Sequence, residues 1–409
     1  MRAFYFSLGQ ATSQLGSSFT AFAIGWIILT GGRSPGWLAT YLSFSLLLYA
    51  LFSLVAGKLI DHFPRRAVLL AADAAGFLSL ALLAVAEAFG KAGLPEYFGA
   101  TVAVQLAATV VMVGTQSAMG DFGDGPAVSR AQAALETLRR LAMVAGPLLA
   151  GTLLNYLARW EIFAIDSLTY GISFGCTLWF LPRRSSAGHE SPPARLRTFL
   201  PTVVWDKGLI ALVSLVVIVN LLYAPVMLLW PLLAAAGSGP ILMGVLAGSF
   251  MLGSILGGVW TATRRDLPLG LHGFFSAVLV GAGFLGLLVA RVLGQGCLPI
   301  PAYILGFGFG SLGGPIMGLL HAKISDGTKG MFFGWLGLVG QIGQPAVLLV
   351  AGAVAQRWGV WPLVECLAVF SGLTACVFRI LGPTEDAGRH TQRHAASWNK
   401  NEFALGESR

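Results

Sequence analysis

Twelve separate stretches of the 409-residue chain are long and apolar enough to cross a lipid bilayer, and no other feature restricts the fold so sharply. A helical crossing takes roughly 20 apolar residues, since each residue advances a helix by about 1.5 Å and the hydrocarbon layer is about 30 Å thick. On that rule the spans fall near 6–30, 36–57, 67–89, 98–119, 131–157, 161–181, 208–235, 240–262, 272–291, 298–321, 331–355 and 360–381. Charge gives an independent argument. Only 11% of the residues are Asp, Glu, Lys or Arg, against about 25% in a soluble domain. The chain cannot hydrate an exterior of its size, so lipid is its solvent. The 53 glycines suit helices that must approach closely where lipid removes the hydrophobic drive between them. The expected fold is all-α integral membrane with twelve transmembrane helices.

The formal charge of +8 is no nucleic-acid signature, because the basic residues lie in short clusters between apolar runs and not along a soluble face. The four cysteines, Cys176, Cys297, Cys366 and Cys376, sit in or beside apolar runs with no C-x-x-C spacing, so disulfides and metal sites are both poorly supported. The first apolar stretch continues past Gly25 to Thr30 without an A-x-A-like cleavage site and reads as a retained helix. The longest polar interruption divides the spans six and six. It separates an N-terminal half, 1–181, from a C-terminal half, 208–381, by a cytoplasmic linker, 182–207, and a polar tail follows at 382–409. With both termini in the cytoplasm, 21 lysines and arginines fall inside and 5 outside, the asymmetry that sets membrane orientation.

The halves repeat. Gly57 to Arg66 follows the second span, and Gly257 to Arg265 follows the eighth, 200 residues later. Span five carries Ala145-Gly146-Pro147-Leu148-Leu149-Ala150-Gly151, and span eleven carries Gln344-Pro345-Ala346 onward, offset by 198. Parallel repeats of this kind place a substrate path between the halves near the bilayer midplane.

At these residues the chain resembles the major facilitator superfamily. Gly57, Asp61, Arg65 and Arg66 match that family's signature loop between helices two and three, with Pro64 where glycine is usual. Within the family the chain looks most like bacterial macrolide, siderophore and lysophospholipid exporters. Phe6 to Gly16 is similar to their first helix, Gly146-Pro147 with Gly151 to the fifth-helix motif of antiporting exporters, and Phe163 to Tyr170 to their sixth helix. The resemblance implies two pseudo-symmetric six-helix halves and a bacterial inner-membrane transporter working by alternating access. Its partners would be a small-molecule substrate, protons and membrane lipid, but no nucleic acid, and it would act as a monomer. Export of an amphipathic solute is the first expectation; import, lysophospholipid flipping and, last, a transport-inactive receptor are the alternatives.

The resemblance also assigns roles. Gly57, Asp61, Arg65 and Arg66, with Asp121 or Asp124 as the acidic partner, would form a cytoplasmic latch between the halves; the alternative is an ordinary basic loop. Gly146, Pro147 and Gly151 would let helix five bend against a neighbour, or else mark a static kink. The residues themselves supply three coupling candidates, Asp73, Asp166 and Glu365, because charge in hydrocarbon costs at least about 2.5–3.5 kcal/mol and calls for a reason. Each also reads as a helix-end residue that reaches water or a neighbouring helix. Gln10, Ser13, Gln14 and Ser17 follow helical spacing on span one and read as a cavity lining, or alternatively as interhelical hydrogen-bonding groups. Facing candidates are Gln105, Gln116, Asn220, Tyr223, Trp335 and Gln341. Arg139 and Arg140 either snorkel to headgroups or attract an anionic substrate. No zinc spacing, phosphate-binding GxxxxGK[ST] or G-x-S-x-G elbow occurs, so neither an enzyme nor a cofactor is expected and the energy source left by elimination is an ion gradient.

Overall fold

The computed structural model describes residues 2–32, 34–122, 126–182, 207–237, 239–263, 268–324 and 329–381. The linker and tail of the sequence reading lie outside the described residues. Among the described residues every regular element is helical. The first half comprises α1 (Arg2–Thr30), α2 (Pro35–His62), α3 (Arg65–Ala88), α4 (Leu94–Ala118), α5 (Pro126–Tyr156) and α6 (Arg159–Phe180). The second comprises α7 (Lys207–Ala235), α8 (Pro240–Thr263), α9 (Leu269–Leu293), α10 (Pro299–Lys323), α11 (Lys329–Ile342), α12 (Gln344–Trp358) and α13 (Val360–Leu381).

Local chemistry sets the ends. Proline stands in the first turn of α2, α4, α10 and α12, where a missing N–H costs nothing. The carboxylates of Glu96 and Glu161 accept hydrogen bonds from the backbone N–H of Gly93 and Ala158 at 2.7 and 2.8 Å, closing the starts of α4 and α6. Gly294 and Gly359, at φ 113° and 91°, turn the chain out of α9 and α12 in a conformation that disfavours a side chain.

Each expected span is matched by helix, with one correction. Span eleven is not continuous: it is α11 and α12, broken at Gly343. Pro345 follows the break and has no N–H to offer the carbonyl four residues back, so the ladder lapses there. Among the described residues nine spans are apolar enough to cross a membrane on their own account, and α1, α5 and α6 are not among them. Polar and charged side chains lower the hydropathy of these three helices, and two of them, α1 and α6, carry the site.

The two halves share one packing scheme. In the first, α3 packs on α6 and α4, α1 on α6, and α2 on α4; in the second, α9 packs on α13 and α10, α7 on α13, and α8 on α10. The α8–α10 crossing is the closest, because Gly253 and Gly257 face the backbone of Tyr303 and Phe307, while Gly306 and Gly310 face that of Phe250 and Ser254. Helix starts correct the repeat offset. α3 and α9 begin 204 residues apart and α6 and α13 begin 201 apart, so the duplicated motifs at 198–200 are similar in sequence but a few residues out of register.

The halves touch through α5 on α8 and α2 on α12. These contacts gather on one side of the molecule, the side of the α1–α2 turn, here termed the far side; the opposite one, where α1 begins, is the terminal side. At the far end of the α5–α8 seam a methyl group on Gly151 would stand 3.0 Å from the Cα of Gly244. On the α2–α12 seam Gly352 meets Ala39, and the Ser43 hydroxyl donates to the Pro345 carbonyl at 2.9 Å. First-half residues that join the second half's apolar core are Phe22, Trp26, Leu29, Leu38, Ala39, Leu42, Leu46 and Leu154. All lie toward the far side, so the protein is sealed there.

Candidate functional site

The chemistry sits where α1, α3 and α6 meet. Asp73 of α3 is fully buried, and its Oδ2 accepts from the hydroxyls of Ser173 at 3.1 Å and Thr177 at 3.3 Å. Both hydroxyls in turn accept from Gln10 Nε2 at 2.9 Å. The other end of that amide, Oε1, accepts from Thr115 of α4 at 3.1 Å. Asp73 Oδ1 has no partner. Two turns along α6 toward the far side lies Asp166, also fully buried. Its Oδ1 accepts from Thr169 at 2.9 Å, while its Oδ2 and the nearby Thr20 hydroxyl have no partner. Gly16 of α1 lies directly against Asp166 and Thr169, where any side chain would collide with their oxygens. Between the two acids the Tyr170 hydroxyl lies 2.8 Å from Ser17 Oγ, its ring seated against Gly76.

Two features set this network apart. First, no lysine, arginine or histidine among the described residues faces either carboxyl, so no ion pair offsets the cost of burying a charge there. Second, α3 and α6 pack on helices of their own half, while contact with the other half is made mainly by α2 and α5. The two acids therefore stand behind α1, away from the interface between the halves.

The remaining candidates fall differently. Gln10 and Ser13 are buried, and Ser17 bonds to Tyr170; the contacts described for Gln10 and Ser17 are interhelical hydrogen bonds to hydroxyls of α6. Gln14 and Gln105 are half-buried and Gln116 is exposed. Glu365 is exposed on the outer face of α13, in a shallow groove with Cys366, Val369, Phe370 and Leu373. It is not an interior acid, and the reason is angular: its neighbours Leu363, Val364 and Leu367 take the buried face. Arg139 is paired with Glu136 at 3.2 Å and reaches the Met112 carbonyl at 3.5 Å, whereas Arg140 is exposed.

Of the latch, the side chains of Asp61, Asp121 and Asp124 lie outside the described residues. Arg65 donates to the Ser117 carbonyl at 3.3 Å and Arg66 to that of Leu178, tying the start of α3 to α4 and α6. The helix-five motif lies in the seams: Gly146 faces Ser18 of α1, and the Pro147 carbonyl and Gly151 face Gly244 of α8. In the second half Asn220 accepts from Gln344 at 2.9 Å beside the α11–α12 break, Trp335 neighbours Phe332, Gln341 is half-buried, and Tyr223 joins Phe250 and Phe309 in an aromatic cluster.

Sequence reading passed over a second polar cluster, where the terminal-side parts of α8 and α9 meet the middle of α10. His272 Nε2 lies 3.0 Å from the Ser311 carbonyl, so that nitrogen carries the hydrogen. Thr261 donates to the same carbonyl at 3.1 Å, and Ser311 Oγ is 2.8 Å from Ser276 Oγ. It also passed over Tyr170, Ser173 and Thr177, whose spacing from Asp166 was visible but whose partners are far away in sequence.

The sequence profile of the Major Facilitator Superfamily matches residues 6–347. The chain belongs to that superfamily. It is a multi-pass integral membrane transporter and not an enzyme. No curated protein matches the sequence. Among solved structures, a bacterial homologue of the iron transporter ferroportin in an inward-facing state superposes with a TM-score of 0.72 at 15% identity, covering 94% of this chain and 99% of that one. The nucleoside transporter NupG gives 0.74 at 11% identity over 94% and 100%. A D-xylose–proton symporter gives 0.66 at 13% identity over 94% and 98%. At these identities the likeness is one of fold, and it holds across both halves of this superfamily member.

Proposed function

We propose that this superfamily member is a proton-coupled secondary transporter of the bacterial inner membrane that moves a small solute by alternating access. The observation that carries the reading is the pair of fully buried carboxyls, Asp73 and Asp166, without a cationic partner. A carboxylate left charged in such a place is expensive, and a bound proton removes the charge. Groups of this kind suit a cycle that takes up a proton on one side and releases it on the other. The lysine and arginine asymmetry makes the terminal side cytoplasmic, so the seal on the far side corresponds to an inward-facing state. The protein works as a monomer in this reading, since the path runs between its own two halves.

For direction, uptake stands ahead of export. Similar folds are described as a nucleoside transporter and a D-xylose–proton symporter, and the pairing of Arg139 with Glu136 weakens the cationic feature that leaned toward an anionic, siderophore-like substrate. Export is the second reading, and the observation in its favour is the Gly146-Pro147-Gly151 motif seated in the seam against α8. The substrate contacts proposed are Gln14, Gln105, Asn220, Tyr223, Trp335 and Gln341, with Asp61 to Arg66 and Asp121 as a latch of the opposite state.

The test is transport in proteoliposomes with an imposed proton gradient, offering nucleosides, pentoses, short peptides, siderophores, macrolides and lysophospholipids. Accumulation on the alkaline side, lost in Asp73→Asn, is the expected result and marks symport. Accumulation on the acidic side would establish antiport and export instead. Movement indifferent to the gradient would sink proton coupling.

A further inference from the structure

Asp166, Tyr170, Ser173 and Thr177 follow one another on α6 at spacings of four, three and four, and all four are fully buried. Gln10, Ser13, Ser17 and Thr20 follow on α1 at three, four and three. Both series keep one face of a helix. The helices run antiparallel, so the rows meet in reverse order: Thr20 by Asp166, Ser17 by Tyr170, Gln10 by Ser173 and Thr177. Ser13 is the second neighbour of the Tyr170 hydroxyl. The result is a row of oxygens about 16 Å long, taking 1.5 Å per residue over the α6 series, in which Tyr170 bonds to Ser17 at 2.8 Å and Ser173 to Asp73 at 3.1 Å. Asp166 stands at its far-side end and Asp73 at its terminal-side end, and each carries one carboxyl oxygen without a partner. Such a row is a costly way to join two apolar helices, because each hydroxyl in hydrocarbon must find a partner and small apolar residues pack as closely.

We propose that the α1–α6 seam is a proton wire joining Asp166 to Asp73 through the hydroxyls of Tyr170, Ser17, Ser13 and Ser173, inside the first half and off the substrate route. In each hop a hydroxyl accepts a proton on its oxygen and releases its own to the next oxygen. One proton moves from carboxyl to carboxyl, the hydroxyls are regenerated, and no other bond changes. The titratable groups facing the two acids are Tyr170 and Cys176 of α6, and α1 and α4 present only neutral amides and hydroxyls. With no cation beside it to hold the charge, the proton passes between sites of similar chemistry. Tyr170 is the central relay, because it bridges the stretch between the acids and Gly76 leaves room for its ring. The proposal rests on the proton-coupling reading, yet it specifies a route which that reading does not require.

The test needs no substrate. Full-length protein in liposomes is subjected to a pH step, and protonated carboxyl bands are followed by time-resolved infrared difference spectroscopy, with Asp73→Asn and Asp166→Asn assigning the bands. In the wild type both bands are expected to respond together. Tyr170→Phe keeps the ring against Gly76 and removes the hydroxyl; it should slow the Asp166 response by about tenfold or more while sparing Asp73, as expected when a positioned proton-transfer group is lost. Ser17→Ala breaks the same link from α1 and guards against a folding defect peculiar to Tyr170. An Asp166 band that follows pH equally fast in both variants would overturn the wire, as would bands that answer to Na⁺ or Ca²⁺ at constant pH. If gradient-driven transport fails but the variants still separate the two bands, the wire stands and coupling falls. If Asp73→Asn abolishes driven transport while Tyr170→Phe changes neither band, coupling stands and the wire falls.

Discussion

The two halves are built on one helix-packing plan yet fill the matching seam with opposite chemistry. Counted from the helix starts, Asp73 is the ninth residue of α3, and the ninth of α9 is Ala277. Asp166 is the eighth residue of α6, and the eighth of α13 is Leu367. Ala277 and Leu367 are both buried. Hydroxyls remain on α13, at Ser371 and Thr374, but each donates to a carbonyl of its own helix, Ala368 at 2.7 Å and Phe370 at 2.9 Å. Facing them, α7 offers an almost wholly aliphatic helix. The second half shows that this seam closes without any acid, so the first half's acids are not a demand of the scaffold. A polar arrangement present in one copy of a duplicated unit and dispensable in the other is best explained by work done in one copy.

The largest expected effect follows at once. Asp73→Asn should lower gradient-driven accumulation by roughly a hundredfold or more, in the range for loss of a proton-transfer group, whereas His272→Gln should leave coupling intact. The histidine's bonds to Ser311 and Thr261 join α8, α9 and α10, so its loss should show as about 1–3 kcal/mol of stability. Driven transport in proteoliposomes and denaturant unfolding in detergent separate the two outcomes. Equal loss of coupling from both variants would mean that the halves share the proton.

Next come substitutions that exchange the chemistry. Ala277→Asp places a carboxyl in the second half's seam without the Gln10–Ser173–Thr177 support and should destabilise by about 3–5 kcal/mol, as for an uncompensated buried charge. Asp73→Ala leaves the hydroxyls of Ser173 and Thr177 bonded to Gln10, and about 1–3 kcal/mol is expected, close to a single lost polar partner. Equal costs would show that the first half is no better prepared for an acid than the second. Spacing is tested at Gly16, the fifteenth residue of α1, whose counterpart on α7 is Leu221. Gly16→Leu must push α1 off Asp166 and should cost about 1–3 kcal/mol by overpacking, read as a lower unfolding midpoint.

Much of this was legible before any coordinates. Among the described residues nine crossings follow from apolar length and sparse charge alone, quantities that a single sequence holds in full, and α1, α5 and α6 complete the six-and-six pattern by length and placement. The seam was legible only by halves. Gln10, Ser13 and Ser17 stand out as polar residues at helical spacing on α1, but the helix they face is about 160 residues away, and periodicity gives a face without naming its neighbour. That is why the row reads equally as a cavity lining. Glu365 failed for the converse reason: depth in a span follows from position, whereas orientation toward lipid or interior depends on packing. The break at Gly343 was foreshadowed by Pro345, yet proline alone does not decide between a kink and an interruption, as the unbroken α5 around Pro147 makes plain.

The smallest effect offers the most exacting comparison, because it contrasts two serines of equal burial. Ser173 and Ser371 are both fully buried on corresponding helices. Ser173 accepts from Gln10 of α1 and donates to Asp73 of α3, so its hydroxyl joins three helices. Ser371 satisfies itself on α13. Removing a hydroxyl that serves only its own helix also removes the need for that bond, so Ser371→Ala should fall within about 0.5 kcal/mol of the parent. Ser173→Ala leaves the Asp73 carboxyl with one donor fewer and the Gln10 amide with one acceptor fewer, and about 1–2 kcal/mol is expected. A double-mutant cycle between Ser173→Ala and Gln10→Ala should then return a coupling energy of about 0.5–1 kcal/mol or more, since residues in one hydrogen-bond network are not additive. Additive losses would mean that the seam's polar groups are merely tolerated, and with that the physical contrast between the halves would lose its force.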